Sequence, residues 1–362
     1  MRPSGLNATA QTYDRVLLTI HPIYLYKRYK RIEYQLPMTN DQIQIGIVGT
    51  GYAAKLRAES FGRDERSRVV AITGHTPEKT ATFSQTYQAQ AVDSWQQLVA
   101  REDIDLVVIC TINSDHGAIA KAALQSHKHV VVEYPLALDV AEAEEIIALA
   151  KSQNRLLHVE HIELLGGLHQ ALKQYLPQVG SPFYARYSTM NPQRPAPRRW
   201  TYNQEMFGFP LCGALSRIHR LTDLFGTVET ISCQNRYWGT DPESFFQVCL
   251  CTAQIRFTSG AIAEVSYGKG ETLWQNERKF EVHADRGGLI FDKDDGVLIQ
   301  VEETTKIEVG SRRGLFAKDT GMVLDHLQTG APLYVSPHES LYALKVADAA
   351  RRSAQMKETI AM

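Results

Sequence analysis

Gln44-Ile45-Gly46-Ile47-Val48-Gly49-Thr50-Gly51-Tyr52-Ala53-Ala54 reads as a short buried strand running into a glycine turn and then a helix. Ile45, Ile47 and Val48 are the apolar part of the strand. The turn has the spacing Gly49-x-Gly51-x-x-Ala54, a dinucleotide fingerprint with alanine in the third place. Gly49 permits a strained turn, Gly51 lacks the Cβ that would block a pyrophosphate, and Ala54 lets helix and strand approach. A helix from Tyr52 to about Phe61 would aim its free N–H groups at the phosphates.

Outward from that turn, strand-like Arg68-Val69-Val70-Ala71-Ile72 is followed by a helix from Pro77 and a strand from Asp105 to Thr111. Another helix leads to a strand from Lys128 to Glu133. This alternation predicts a doubly wound parallel sheet, the Rossmann arrangement. Where the ribose 2′-hydroxyl of NAD is held, a carboxylate is expected about 20 residues past the glycines. Gly74 or His75 stands there instead, so NADPH is the preferred cofactor and NADH the second. His75, Thr76 and Lys79 are the candidate phosphate partners.

The uninterrupted run Leu106–Ile109 suits a strand buried on both faces. It empties into Thr111, Ile112, Asn113, Ser114 and His116 at the carboxyl edge, where ligands bind. Asn113 or Ser114 is the expected helix cap, and His116 reads as a solvated first-turn residue. Asp139 and Glu142 predict a capping box. His158, Glu160 and His161 gather at the end of a sixth strand. Cofactor contacts fall to Gly49, Thr50, Gly51, Tyr52, Ala53, Ala54, Gly74, His75, Thr76, Thr111, Ile112, Asn113, His116, Glu133 and Tyr134.

From Ser181 the pattern changes. Phe183–Met190, Thr230–Trp238, Phe245–Phe257, Ala261–Lys269 and Glu277–Ala284 alternate without helices between most of them. They predict a second domain built on a mainly antiparallel open sheet with flanking helices, closed by a helix from Glu339 to about Met356. The expected division is an extension at 1–38, a Rossmann domain at 39–160 and a substrate domain at 161–362.

The chain has 362 residues and a net charge of −1, which points to neither nucleic acid nor a membrane surface as partner. It contains no apolar run near the ~20 residues that span a bilayer. Its five cysteines are odd in number and show no CxxC, as expected of reduced thiols in a cytoplasmic protein without a metal site.

Gly213 to Phe225 predicts a helix ended by Gly226. On its wheel Arg217 falls between Leu224 and Leu221, inside an apolar arc with Ile218, Ala214 and Phe225. A guanidinium there is costly unless it is paired or faces a ligand, and the wheel leaves both open.

Fingerprint and domain order resemble the Gfo/Idh/MocA oxidoreductases, most of which oxidise sugars and cyclitols. That family usually carries Glu-Lys-Pro where this chain has Glu133-Tyr134-Pro135, which speaks against sugar chemistry. Val132–Pro135, His158–Leu165, Phe207-Gly208-Phe209-Pro210 and Leu215-Ser216-Arg217 instead resemble the biliverdin reductases, the cyanobacterial branch above all. This resemblance runs from about Gln44 to Lys345.

It implies hydride delivery from NADPH to the central methine of biliverdin IXα and protonation of a pyrrole nitrogen. It also implies Arg217 and Tyr134 as catalytic-site residues. Candidate substrate contacts are Arg186, Tyr187, Lys269 and His161. The alternatives are a sugar or polyol dehydrogenase and a non-catalytic NADP-sensing regulator on the same fold.

Residues 1–37 break the pattern, with Lys27, Arg28, Lys30 and Arg31 among tyrosines, and Met38 stands just before the first strand. The extension is expected to be dispensable. A chain beginning at Met38 should therefore be soluble and turn over like the full chain; loss of either property would place the extension in the working fold.

Overall fold

A computed structural model describes residues 42–362; the expectation for the extension lies outside the described residues. The first domain contains β1 (Ile43–Val48), α1 (Tyr52–Gly62), β2 (Ser67–Thr73), α2 (Pro77–Thr86), β3 (Gln90–Ala91) and α3 (Trp95–Val99). It continues with β4 (Leu106–Ile109), α4 (His116–Gln125), β5 (His129–Glu133), α5 (Val140–Ser152) and β6 (Leu157–Glu160). All six strands pair in parallel, in the order β3-β2-β1-β4-β5-β6. The order reverses between β1 and β4, the switch point at whose carboxyl edge such sheets bind ligands. Every residue of β4 is buried, as a strand covered on both faces requires.

The second part begins with α6 (Gly167–Val179), β7 (Pro182–Pro192), α7 (Gln204–Phe207), α8 (Pro210–Gly213) and α9 (Ser216–Phe225). Then come β8 (Val228–Trp238), β9 (Val248–Phe257), β10 (Ile262–Gly270), β11 (Glu277–Ala284), β12 (Gly287–Asp292), β13 (Asp295–Ile299) and β14 (Thr304–Glu308). Helices α10 (Leu315–Thr329) and α11 (Pro337–Met356) and the short β15 (Ile360–Ala361) close the chain. The nine-stranded sheet has the order β14-β13-β12-β11-β7-β10-β9-β8-β15.

Its ladders are antiparallel except β7 with β10, a parallel pair in which Tyr187 faces Val265 and Thr189 faces Tyr267. Alternation in the sequence reports a strand but not its partner, so this pair was not foreseen. Strands β12 to β14 and helix α10 were also missed.

The helix expected over Gly213–Phe225 is broken. Pro210 starts one short turn, and Ala214 leaves helical geometry at φ −108°, ψ 42° before α9 begins. A Cβ on Gly213 would lie 2.4 Å from the Phe207 carbonyl oxygen, so the turn is drawn tight against α7. Asp139 caps α5, accepting from the Glu142 N–H at 2.9 Å, but the expected capping box is only half formed, because the Glu142 carboxylate lies against Gly117 instead of returning to the cap.

Helix α11 joins the two parts, packing on α5 and β6 of the first and on β8 and α9 of the second. Helix α10 returns to lie along α1. That contact is anchored by Arg57 of α1, wholly buried, which donates to Glu133 Oε1 at 2.9 Å and to Asp319 Oδ2. Asp319 Oδ1 also meets His158 Nε2 at 2.7 Å and accepts from Tyr334 at 2.8 Å.

Burial would raise the Asp319 carboxyl, but Arg57 and His158 hold it well below the usual range. Its stabilising contribution is therefore complete above the ordinary carboxylate pKa and is lost as pH falls through and below it. Asp319→Ala leaves the buried guanidinium with Glu133 as its single carboxylate among the described residues and should cost about 3–5 kcal/mol at neutral pH by urea denaturation. A loss under about 1 kcal/mol would show that Arg57 finds other partners.

Candidate active site

The fingerprint turn separates two uses of glycine. Gly49 has φ +126°, and a Cβ there would lie 2.2 Å from the Cys110 carbonyl oxygen, so the fold itself demands glycine. Gly51 has an ordinary φ of −86°, and no heavy atom lies within 4 Å of where its Cβ would be. Nothing in the chain forbids a side chain at 51, and the room left there suits a pyrophosphate. Helix α1 has no side-chain cap and no acid in its first turn, so its N–H groups and dipole are free for an anion. Ala54 is buried against β1, whereas Tyr52 is 77% exposed; Thr50 and Ala53 are half-buried. These residues fit a dinucleotide.

Gly74 stands where its Cβ would meet Thr50 Cγ2 at 2.7 Å and Thr80 Oγ1 at 2.9 Å. Close packing, not only charge, keeps a carboxylate away from that position. Beside it a cavity of about 390 Å³ is lined by Thr50, Glu78, Lys79, Thr82, Phe83 and Thr86. Glu78 is a carboxylate that the spacing did not point to. His75 is exposed and Thr76 half-buried at the start of α2.

At the carboxyl edge, Thr111 and Ile112 are half-buried. Asn113 does not cap a helix: its side chain donates to the Phe207 carbonyl at 3.0 Å, tying this edge to the second domain. The solvated histidine expected at 116 is 1% exposed. Its Nδ1 lies 2.8 Å from the Pro135 carbonyl and its Nε2 3.3 Å from that of Thr111. It fastens two edge loops together.

Glu133 ends β5 beside Glu160, to which it is hydrogen-bonded. Burial and the Glu133 charge push the Glu160 carboxyl well up, which favours its protonated form.

Tyr134 follows, donating to Ser216 Oγ at 3.2 Å with its ring stacked on His161 at 5.3 Å. Burial pushes its phenol up to about 12, against the pull of Arg217. His161 is buried, meets Ser340 Oγ at 2.9 Å and stands edge-on to His219 at 4.1 Å. Burial and the other histidines push His161 well down, and burial brings His219 to about 4; both are neutral at pH 7.

Arg217, in the first turn of α9, is half-buried and completes this cluster. It donates to Ser216 Oγ at 3.0 Å and to Thr189 Oγ1 at 3.4 Å, with Cζ 5.2 Å from the Tyr267 ring centroid. It makes no ion pair with a carboxylate of the described residues. Arg220, one turn on, takes the structural role: 1% exposed, it donates to Tyr187 Oη at 2.7 Å and to Glu163 Oε2 at 3.2 Å. Burial alone would raise Glu163, but Arg220, Arg312 and Arg217 hold it low.

Tyr187, Thr189, Tyr267 and Lys269 share the sheet face that meets α9, so Tyr187 and Lys269 are gathered near Arg217. Arg186 is not. It lies on the opposite face beside Glu277 and Glu281, each at 3.9 Å, because neighbours along a strand point to opposite sides.

Sequence reasoning missed Arg220, Ser216 and Tyr267. Arg220 fell roughly 40° outside the apolar arc of the wheel, a signal that could have flagged it. Ser216 and Tyr267 carried none.

A dinucleotide turn, a carboxyl-edge tyrosine and an unpaired arginine under an open sheet define a nucleotide-dependent oxidoreductase. The sequence matches the oxidoreductase family, NAD-binding Rossmann fold, over residues 43–161, and that family's C-terminal alpha/beta domain over 177–362. The chain belongs to the Gfo/Idh/MocA oxidoreductase family.

A crystal structure of biliverdin reductase from Synechocystis sp. PCC 6803, in complex with biliverdin and NADP+, is 55% identical with a TM-score of 0.85. The match covers 86% of this chain and 99% of that one. Biliverdin reductase A of Mus musculus is 29% identical over 266 residues, 70% of this chain and 84% of its own length. Levoglucosan dehydrogenase with NADH and L-sorbose, at 17% identity and TM-score 0.77 over 89% of this chain and 99% of its own, shares the fold. Among the described residues no helix is long and apolar enough to cross a membrane.

Gly51→Asp should fold, since the position is open, yet lose nucleotide binding; unchanged NADPH affinity by titration would remove the turn from the site. His75→Asp, at an exposed position, should shift preference from NADPH toward NADH, read as the ratio of kcat/KM for the two.

Proposed function

We propose that this chain is an NADPH-dependent reductase that converts biliverdin IXα to bilirubin at the central methine bridge. The observation that carries the reading is Arg217, held beside Ser216 and Tyr134 with no ion-paired carboxylate among the described residues. The Synechocystis relative supports it, being biliverdin reductase with biliverdin and NADP+ bound.

The bound dinucleotide supplies the hydride, and the turn Gly49–Ala54 holds its pyrophosphate. Negative charge then grows on the conjugated bilin before a pyrrole nitrogen is protonated. Arg217 is charged throughout the working pH range and is a poor acid, so its part is to stabilise that charge and orient the ligand. Tyr134, with its phenol at about 12, keeps its proton at neutral pH and holds Ser216 in place for Arg217. The main requirement of the hydride transfer is alignment.

A sugar or polyol dehydrogenase needs a base at neutral pH. The family's lysine is replaced by Tyr134, which is un-ionised there, and both neighbouring histidines are buried. A sensor without catalysis would have no use for a costly unpaired guanidinium. A cytoplasmic setting belongs to the proposal, supported by five buried free thiols, with Cys233 and Cys251 sulfurs 3.5 Å apart.

Mixing protein, NADPH and biliverdin and watching for the bilirubin spectrum tests the activity. Arg217→Ala should lower turnover about a hundredfold while NADPH affinity and melting temperature hold. Arg217→Lys should rescue poorly, because a point charge lacks the planar fork. A stable, fully active alanine variant would take Arg217 out of the mechanism.

A further inference from the structure

Arg217 is one end of a longer array. Arg217 Cζ is 5.2 Å and Lys269 Nζ 5.7 Å from the ring centroid of Tyr267. Lys269 Nζ is also 5.0 Å from the Tyr202 ring, and Arg199 Cζ lies 5.8 Å from that same ring. Three cations thus alternate with two aromatic rings, and Phe207 closes on the lysine at 3.6 Å. Arg199 is exposed, Arg217 half-buried and Lys269 5% exposed, so the row leads from solvent into the site.

The rings attract the cations but neutralise none of them. The wholly buried arginines elsewhere carry acids: Arg57 has Asp319 and Glu133, and Arg220 has Glu163. In the row, Lys269 donates to the Thr201 carbonyl, Arg217 to two hydroxyls, and Arg199 makes no ion pair among the described residues. Burial takes Lys269 down to about 7, with Arg199 and Arg217 adding to the fall and Cys249 opposing it. Three basic groups share one small region without an ion-paired carboxylate among the described residues, Glu163 being taken by Arg220 and Arg312. An anion arriving there relieves their mutual repulsion.

We propose that Arg199, Lys269 and Arg217 form a carboxylate-recognition row that takes the acidic side arms of the substrate. This rests on the reading of the substrate as a bilin. Biliverdin carries two propionates on the rings that flank its central methine, so anchoring them places the carbon that is reduced. Arg199 and Arg217 contact the carboxylates, and Lys269, between them behind the tyrosine rings, supplies charge to both.

The test titrates the full chain, loaded with NADP+, with biliverdin IXα and with its dimethyl ester, which keeps the chromophore and removes both charges. Wild type should bind the diacid about tenfold tighter, the worth of one charge-assisted contact. Arg199→Gln and Lys269→Met should each narrow that ratio severalfold, with melting temperature measured on the same samples. Arg199 is exposed, so its variant carries the test should Lys269→Met not fold.

Equal affinity of wild type for diacid and ester, or variants that weaken both by one factor, would overturn the row. Turnover is read separately. Selective diacid binding without reduction by NADPH would sink the reductase reading and leave the row standing. Reduction without selectivity would do the reverse.

Discussion

A wholly buried guanidinium sets the terms for much of this structure. Arg57 cannot sit in the interior without anions, since an unpaired charge there costs several kcal/mol, ~3–5 when a partner is removed. Its two acids come from far along the chain, Glu133 from the end of β5 and Asp319 from α10. Asp319 in turn gathers His158 from β6 and Tyr334 from the segment before α11. Satisfying one charge therefore holds the fingerprint helix, the carboxyl edge and the returning C-terminal helices in one arrangement. The nucleotide turn and the residues after β5 are positioned by the same network.

The site beside it follows the opposite rule. The Glu160 carboxyl is pushed well up, Tyr134 keeps its proton, and His161 and His219 are neutral, all because burial penalises their charged forms. The basic groups without an ion pair among the described residues are Arg217 and Arg199, with Lys269, brought to about 7, between them. A cleft whose walls are neutral donors and unpaired cations is suited to an electron-rich, anionic ligand. At the position of the family's lysine it offers Tyr134, which is un-ionised at neutral pH and cannot accept a proton from an alcohol. The same helix carries both kinds of arginine, Arg220 satisfied by Glu163 and Tyr187, and Arg217 left for a ligand.

Much of this could be read before any coordinates. The turn Gly49–Ala54, the strands around it and the alternating strands after Ser181 follow from local periodicity and from what glycine permits. Glu277–Ala284 and the cap at Asp139 stand where the pattern placed them. The odd charge at Arg217 was visible as a break in an apolar arc, because a helical wheel needs only 3.6-residue periodicity. The missing family lysine at Tyr134 was visible in the same way, as one residue in a motif.

Partnership was not legible. Periodicity says that a residue is inside, but not what it meets. The parallel pairing of β7 with β10, the separation of Arg186 from Tyr187 by sheet face, and the burial of His116 depend on which strand or loop arrives next to them. Gly51 shows the division most simply. The sequence by itself determined that a glycine stands there, whereas only the tertiary structure decided that the chain leaves its Cβ space empty. The same holds for charge. Composition counts acids and bases, and three-dimensional packing alone decides that Arg57 receives two carboxylates while Arg217, Lys269 and Arg199 receive none among the described residues, because ion pairs form between residues far apart in the chain.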